Sequence, residues 1–410
     1  MELQQIVALT VFVGVYALLA SRWIHRAAAA LVGALILAAG NLGGAVASVV
    51  PAVLLVTAGL MVLAGFVKRS GLAAWLALKS AKVARGRPSR ILLFAGVLSF
   101  ALAALVGPAA AVVLVVPVCL VLAVELDVPA LPFVLVLAWT ALLGGATTQT
   151  AQPANLWIAS ALGLDGWAWI RSVAPFTVTA LAVTLLSGVA VFRKVLRVTN
   201  ERRARVLEYD ESQSLQDRPL LIKTLVVLGL VVLGLAAGPW LKLAPEIVVV
   251  GGATLLLLWD GPRSVDRSLG EIDGSVLVFF GALCVVVGAL GTSGLAAAVA
   301  GHFPSSSWGL LWGSAVLSAV VDHGAVAAAL VPVLQAWNEA GASQAWVFVV
   351  VGSSLGAGAT VWGAVSTATA LGLAGQGSLK PVRGQFTRYG LLFAALNLVV
   401  ASALALLLAR

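Results

Sequence analysis

The stretch "TTQTAQPAN", Thr147 to Asn155, lies inside a chain that otherwise avoids polar side chains. Thr147, Thr148, Gln149, Thr150, Gln152 and Asn155 crowd around Pro153, and near-continuous hydrocarbon runs on both sides. Gly144, Gly145 and Pro153 interrupt whatever helix passes here, because glycine weakens a helix and proline removes a backbone donor. Of 410 residues 61% are hydrophobic and only 10% charged. Apolar runs of about 15 to 20 residues recur along the whole length, the pattern of a polytopic α-helical membrane protein. The polar stretch therefore reads as a helix broken inside a bilayer. Irregular backbone at that depth persists only where protein or a water-filled cavity satisfies it.

Working outward, the chain matches itself. "SGLAA" at 70–74 returns at 293–297, "LVGALILAAGN" from Leu31 resembles "VGGATLLLLWD" from Val250, "VVPV" at 115–118 has "LVPV" at 330–333, and "GAT" at 145–147 recurs at 358–360. The matches keep one order and a nearly constant spacing, the mark of a duplicated unit. The expected organisation is a first repeat over 1–196, a cytoplasmic linker over 197–218 and a second repeat over 219–410. In the first, spans read at about 5–20, 27–46, 49–67 and 172–196; in the second, at about 220–238, 245–259, 274–292 and 388–409. Segments 91–124 and 307–338 are too short for two crossings and break centrally, at Gly107-Pro108 and Asp322-His323-Gly324, so each reads as a re-entrant hairpin. Broken helices fall at about 131–164 and 344–374. The fold expected is all-α and polytopic: two inverted-topology repeats, each of five crossings plus a hairpin, with discontinuous helices at the midplane.

Charge fixes the orientation. With the N-terminus outside, only Arg171, Lys242 and Arg410 of the 25 Lys and Arg fall outside, and the clusters from Arg22 to Arg26, Lys68 to Arg90, Arg193 to Lys223, Arg263 to Arg267 and Lys380 to Arg388 all fall inside. This is the positive-inside bias of an inner-membrane protein whose two termini are extracytoplasmic. The net charge of +9 does not indicate nucleic acid, since the basic residues lie in short clusters between apolar runs. Met1 to Ala20 lacks a basic start and a cleavage site, so it reads as a first span retained in the protein. Cys119 and Cys284 have no partner spacing for a disulfide or zinc site.

The counterpart of the opening stretch, "GAGATVWGAVSTAT" at 356–369, breaks at glycines and carries Thr360, Ser366, Thr367 and Thr369. Paired broken helices point to a midplane substrate site in a secondary transporter, with half-helix N-termini and hydroxyl or amide groups facing the ligand. The candidate substrate-binding residues are thus Thr147, Thr148, Gln149, Thr150, Gln152, Asn155, Thr360, Ser366, Thr367 and Thr369. Asp322 and His323 form the ionisable pair expected deep in the membrane, a candidate for ion coupling or a simple helix cap. The cavity so inferred holds one carboxylate and no Lys or Arg, which does not suit a divalent cation. No metal, cofactor or catalytic motif is read, and a channel is the other non-enzymatic class compatible with broken helices.

"LSAVVDHGAVAAALVPVL" at 317–334, "GGATTQTAQPANLWIA" at 144–159 and "EIDGSVLVFFGALCVVVGALGTSGL" at 271–295 resemble the ArsB/NhaD permease branch of the ion-transporter superfamily. That branch holds arsenite efflux permeases, NhaD-type sodium/proton antiporters and anion permeases, with more distant dicarboxylate and citrate relatives. The resemblance implies a scaffold and a moving transport domain, a homodimer and elevator-type transport of a small inorganic anion or metalloid, coupled to protons or sodium. A sodium/proton antiporter and a dicarboxylate or citrate transporter are the alternatives it implies. The first hairpin tip, Val106 to Ala110, lacks the polar pair common in relatives, and His323 stands where Asn is usual; both count against a two-carboxylate sodium site.

Overall fold

The computed structural model describes the chain apart from residues 1–2, 22, 41, 43–48, 209–210, 216, 295–305, 340–343, 376–382 and 409–410. The far end of the 27–46 span, the second "SGLAA" beyond Gly294, Arg22, His302, Lys380 and Arg410 lie outside the described residues. The described residues are helical, with no strand among them. Eight of the helices are long and apolar enough to cross a membrane, which makes this a multi-pass membrane protein.

Helices α1 (Leu3–Ser21), α2 (Arg26–Ala39) and α3 (Val49–Arg69) lead into a shorter α4 (Leu72–Val83). The first hairpin is α5 (Pro88–Val106) and α6 (Pro108–Leu126), turning at Gly107. Gly107 has φ +91, a conformation that side-chain-bearing residues rarely adopt, and Pro108 follows as the first helical residue, where its missing N–H costs nothing. Next come α7 (Leu131–Thr147) and α8 (Pro153–Leu162), separated by the unwound Thr148 to Gln152, then α9 (Gly166–Phe192); Gly144 and Gly145, expected to interrupt the helix, are instead helical within α7, where they permit close packing. α10 (Asn200–Glu208) lies in the linker.

The second part runs through α11 (Arg218–Leu241), α12 (Pro245–Asp260), the short α13 (Pro262–Gly270) and α14 (Gly274–Thr292). Its hairpin is α15 (Ser307–Val320), then α16 (His323–Ala329) and α17 (Val331–Glu339), turning at Val321 and Asp322. α18 (Ala345–Ala357) and α19 (Val365–Gly375) flank the second break, and α20 (Arg383–Leu408) closes the chain. The helix starts carry their caps in the sequence: Asp165, Asp217 and Ser306 each accept from the backbone N–H three residues on. Asp273 caps α14 and also accepts from the Ser275 hydroxyl at 2.6 Å. Burial pushes the Asp273 carboxyl up, but hydrogen bonds from Ser275 and Val276 and the charge of Arg26 outweigh it and hold the pKa below its usual value.

Two helices form the centre. Residues 131–146 of α7 are all buried, as are nearly all of α18, so these segments are apolar on every side rather than amphipathic. α5 packs along α7 and α15 along α18. Both approaches are backbone to backbone: a Cβ on Gly144 would lie 2.1 Å from Phe100 O, and one on Gly356 1.9 Å from Ala315 O. Small residues at such crossings are the usual means of close helix packing in lipid, where no hydrophobic force draws helices together. Trp139 on α7 is fully buried and stacks against the second break, so closely that a Cβ on Gly358 would meet its ring at 2.4 Å. Around this centre α2 packs on α14, and α12 on α3. Many exposed side chains on the outer helices are large and apolar, among them Leu35, Leu186, Leu233, Leu258 and Leu407, as a surface facing lipid requires.

The linker is not a free tether. α10 packs on α4 and α6, with Val206 buried, Arg202 paired to Asp127 at 2.8 Å and Lys82 paired to Glu211. These contacts bring the linker onto the base of the first hairpin.

Candidate functional site

Each break is stitched to its own hairpin by one threonine. Thr148 donates to Ala104 O at 2.8 Å, three residues before the first tip, and Thr360 donates to Ala319 O at 2.7 Å, three residues before Asp322. Breaking a helix leaves carbonyls without partners, and in a membrane no water replaces them. Asn155 supplies two donors to such carbonyls, Gly145 O at 3.0 Å and Thr148 O at 3.2 Å. Thr367 serves Val361 O at 3.0 Å and Ala364 O at 2.7 Å in the second break. Thr147 donates back to Leu143 O and contacts the Thr177 hydroxyl at 2.9 Å. These candidate ligands hold the unwound backbone, and Thr369 is half-buried on α19 outside the cavity lining.

The structure brings Thr150, Gln152, Ser366, Asp322 and His323 together. They line a cavity of about 150 Å³ bounded by both hairpin tips and both breaks. The first turns of α6, α8 and α19 border it through Pro108 to Ala110, Pro153 to Ala154 and Val365 to Ser366. Unpaired N–H groups and the positive end of the helix dipole gather there. Across the cavity His323 Nε2 contacts Gln152 Oε1, joining the second tip to the first break. The other ring nitrogen, Nδ1, is buried without a partner. Gln152 Nε2 and Ser366 Oγ are also buried without partners. Asp322 caps α16, accepting from Gly324 N at 3.0 Å, and the N–H of His323 donates to Gly363 O at 2.9 Å.

The expectation of a cavity without Lys or Arg is corrected here. Arg26 at the start of α2 lines it, with Nη1 4.0 Å from Asp322 Oδ2. Thr57 of α3 also reaches the lining. In the sequence Arg26 sits among loop charges, and nothing local marks it as part of a site almost three hundred residues away. A second, larger cavity of about 380 Å³ lies against α9 and α11, bordered by Thr148, Gln149 and Thr150, so Thr150 faces both. Among the described residues no group of three or more His, Cys, Asp or Glu is placed to hold a metal ion. Cys119 and Cys284 are free and buried.

A multi-pass helical protein with a cavity at the meeting of broken helices, where a few polar side chains face an otherwise apolar wall, has the architecture of a membrane transporter. The chain belongs to the citrate transporter family, whose pattern matches residues 16–356. It is similar to an uncharacterized transporter of Mycobacterium tuberculosis, 27% identical over 97% of each chain. It is also 29% identical to the magnetosome protein MamN of Magnetospirillum gryphiswaldense, over 89% of this chain and 87% of that one. An uncharacterized transporter of Synechocystis sp. is 26% identical over 98% and 97% of the two chains. The match lies within the ion-transporter superfamily; the citrate relatives, not the ArsB/NhaD branch, are the family matched.

Proposed function

We propose that this protein is a secondary active transporter of a small polyvalent anion, with a di- or tricarboxylate the class that fits best. The observation that carries the reading is the cavity itself. The N-termini of α6, α8 and α19 converge on it, Gln152 Nε2 offers an unused buried donor and Ser366 Oγ an unused buried hydroxyl, and one carboxylate is present. Partial positive charge with spare donors favours an anion over a cation. The family match supports a carboxylate over arsenite or another inorganic oxyanion. A sodium/proton antiporter is less well supported, because Arg26 lies beside the carboxylate that sodium would need.

Inverted repeats and an elevator-like motion belong to this reading. One interval along the chain separates Gly144 from Gly356, Thr148 from Thr360 and Asn155 from Thr367, and the members of each pair do the same job. The "GAT" match places Thr147 opposite Thr360, one residue out of this register. The crossed packing of α2 on α14 and α12 on α3 also suits two halves related by a two-fold axis. Inner-membrane location with both termini outside, a homodimer and coupling through Asp322 and His323 complete the reading.

Uptake into proteoliposomes tests it, with labelled citrate, malate, sulfate, phosphate and arsenite, and with pH and sodium gradients imposed separately. The expected result is saturable carboxylate uptake driven by one of the gradients. Gln152→Ala and Ser366→Ala are each expected to raise KM about tenfold, the scale of one hydrogen bond to a charged group. Sodium-driven proton flux with no uptake of any anion would sink the proposal.

A further inference from the structure

Arg26 enters the site from outside the hairpins and breaks. It begins α2, which packs on α1 and α14, and its guanidinium lies 5.4 Å from the centre of the Phe279 ring. At 4.0 Å its separation from Asp322 Oδ2 is too long for the charge-assisted hydrogen bonds of a close pair, which run at about 2.7–2.9 Å. The pair attracts without closing, and the planar fork of donors remains open to another occupant. Asp322 is held in place, because its Oδ1 caps α16 through Gly324 N. Arg26 and Asp322 are both partly buried, their side chains 25% and 19% exposed, where Coulomb attraction is less screened than at a surface.

We propose that Arg26 grips the negative group of the transported anion, and that Asp322 occupies its place as an internal stand-in when the site is empty. The inference rests on the anion-transporter reading and adds the specificity residue and the exchange. A carboxylate matches the guanidinium fork in shape and charge, whereas a neutral hydroxylated species gains nothing from it. An arriving anion and the Asp322 carboxylate then compete for one cation, and two like charges side by side repel. Neutralising Asp322 by substitution removes the competitor, so the anion binds more tightly. The groups facing Asp322 are Arg26, its neighbour His323, and the Tyr16 hydroxyl, which donates to Ala325 O at 2.7 Å with Cys284 close to it. Asp273 is the acidic group acting on Arg26 from α14.

Initial rates of citrate uptake in proteoliposomes, read as KM, provide the test. Arg26→Gln is expected to raise KM about tenfold or more, with Arg26→Lys intermediate, since lysine keeps the charge but not the fork. Asp322→Asn is expected to lower KM about tenfold, because the anion then meets no carboxylate competing for Arg26. Should Arg26→Gln not fold, the Asp322→Asn arm decides alone. Wild-type KM in Arg26→Gln, or a KM in Asp322→Asn no lower than wild type, overturns the inference while leaving the anion reading intact. No citrate uptake by the wild type overturns the reading beneath it.

Discussion

Gly356→Ala is expected to leave little folded protein in the membrane. The added Cβ would lie 1.9 Å from Ala315 O and 2.5 Å from its C and Cα atoms, all of them backbone. A side chain in that position could rotate away; a helix axis cannot. α15 and α18 would have to separate along their whole contact, and with them the second tip and the second break. Overpacking of a well-packed core costs about 1–3 kcal/mol even where side chains can adjust, and here they cannot. About 3 kcal/mol or more is a large share of a total stability of about 5–15 kcal/mol. Gly144→Ala is expected to do the same at Phe100. Gly229→Ala and Gly251→Ala, with nothing within 4 Å of the new Cβ, are the controls. The measurement is the fraction of monodisperse protein after detergent extraction, with its thermal midpoint. A midpoint for Gly356→Ala equal to that of the controls contradicts the close helix approach.

Asn155→Leu comes next in size. Asn155 is 3% exposed and serves two carbonyls that the break at Thr148 to Gln152 leaves over. Leucine keeps the volume and removes both donors. Each orphaned buried acceptor costs about 1–3 kcal/mol, so a loss of about 2–6 kcal/mol is expected. Thr367→Val is the parallel change in the second break. The distinguishing measurement pairs thermal stability with KM for citrate. A structural role lowers the thermal midpoint and leaves KM of the surviving protein near wild type. A ligand role would raise KM and spare the midpoint, and that outcome would return Asn155 to the binding list.

The interruptions were the most legible part of this fold. Gly107-Pro108 stands out as a glycine followed directly by a proline, Asp322 as a carboxylate inside an apolar run and Pro153 by the polar side chains crowded around it, and the observed helices end within a few residues of the expected points. The segment expected over 91–124 as one re-entrant hairpin is two helices, Pro88–Val106 and Pro108–Leu126, each long and apolar enough to cross a membrane, and that expected over 307–338 is divided into Ser307–Val320, His323–Ala329 and Val331–Glu339. What a threonine or asparagine does at a break was not legible. The same residue type serves a ligand or its own unwound carbonyl, and only geometry separates Gln152, unsatisfied in the cavity, from Asn155, spent on the backbone. Arg26 was hidden for another reason. The positive-inside rule counts every basic residue near a span end alike, so a charge turned into the protein looks the same as one in water. The docking of α10 on α4 and α6 was also unreadable, since a charged nine-residue helix has no periodic apolar face to announce it.

The two sulfhydryl groups open a practical route into the transport cycle. Cys119 and Cys284 are sealed at 0% and 1% exposure, one within the first hairpin and one in α14. A water-soluble maleimide has no native target of consequence, so the wild-type sequence already serves as the blank. A single cysteine placed at Ala109, half-buried on the cavity wall, then becomes a reporter of which aqueous compartment reaches it, read by adding the reagent to one side of a sealed vesicle at a time.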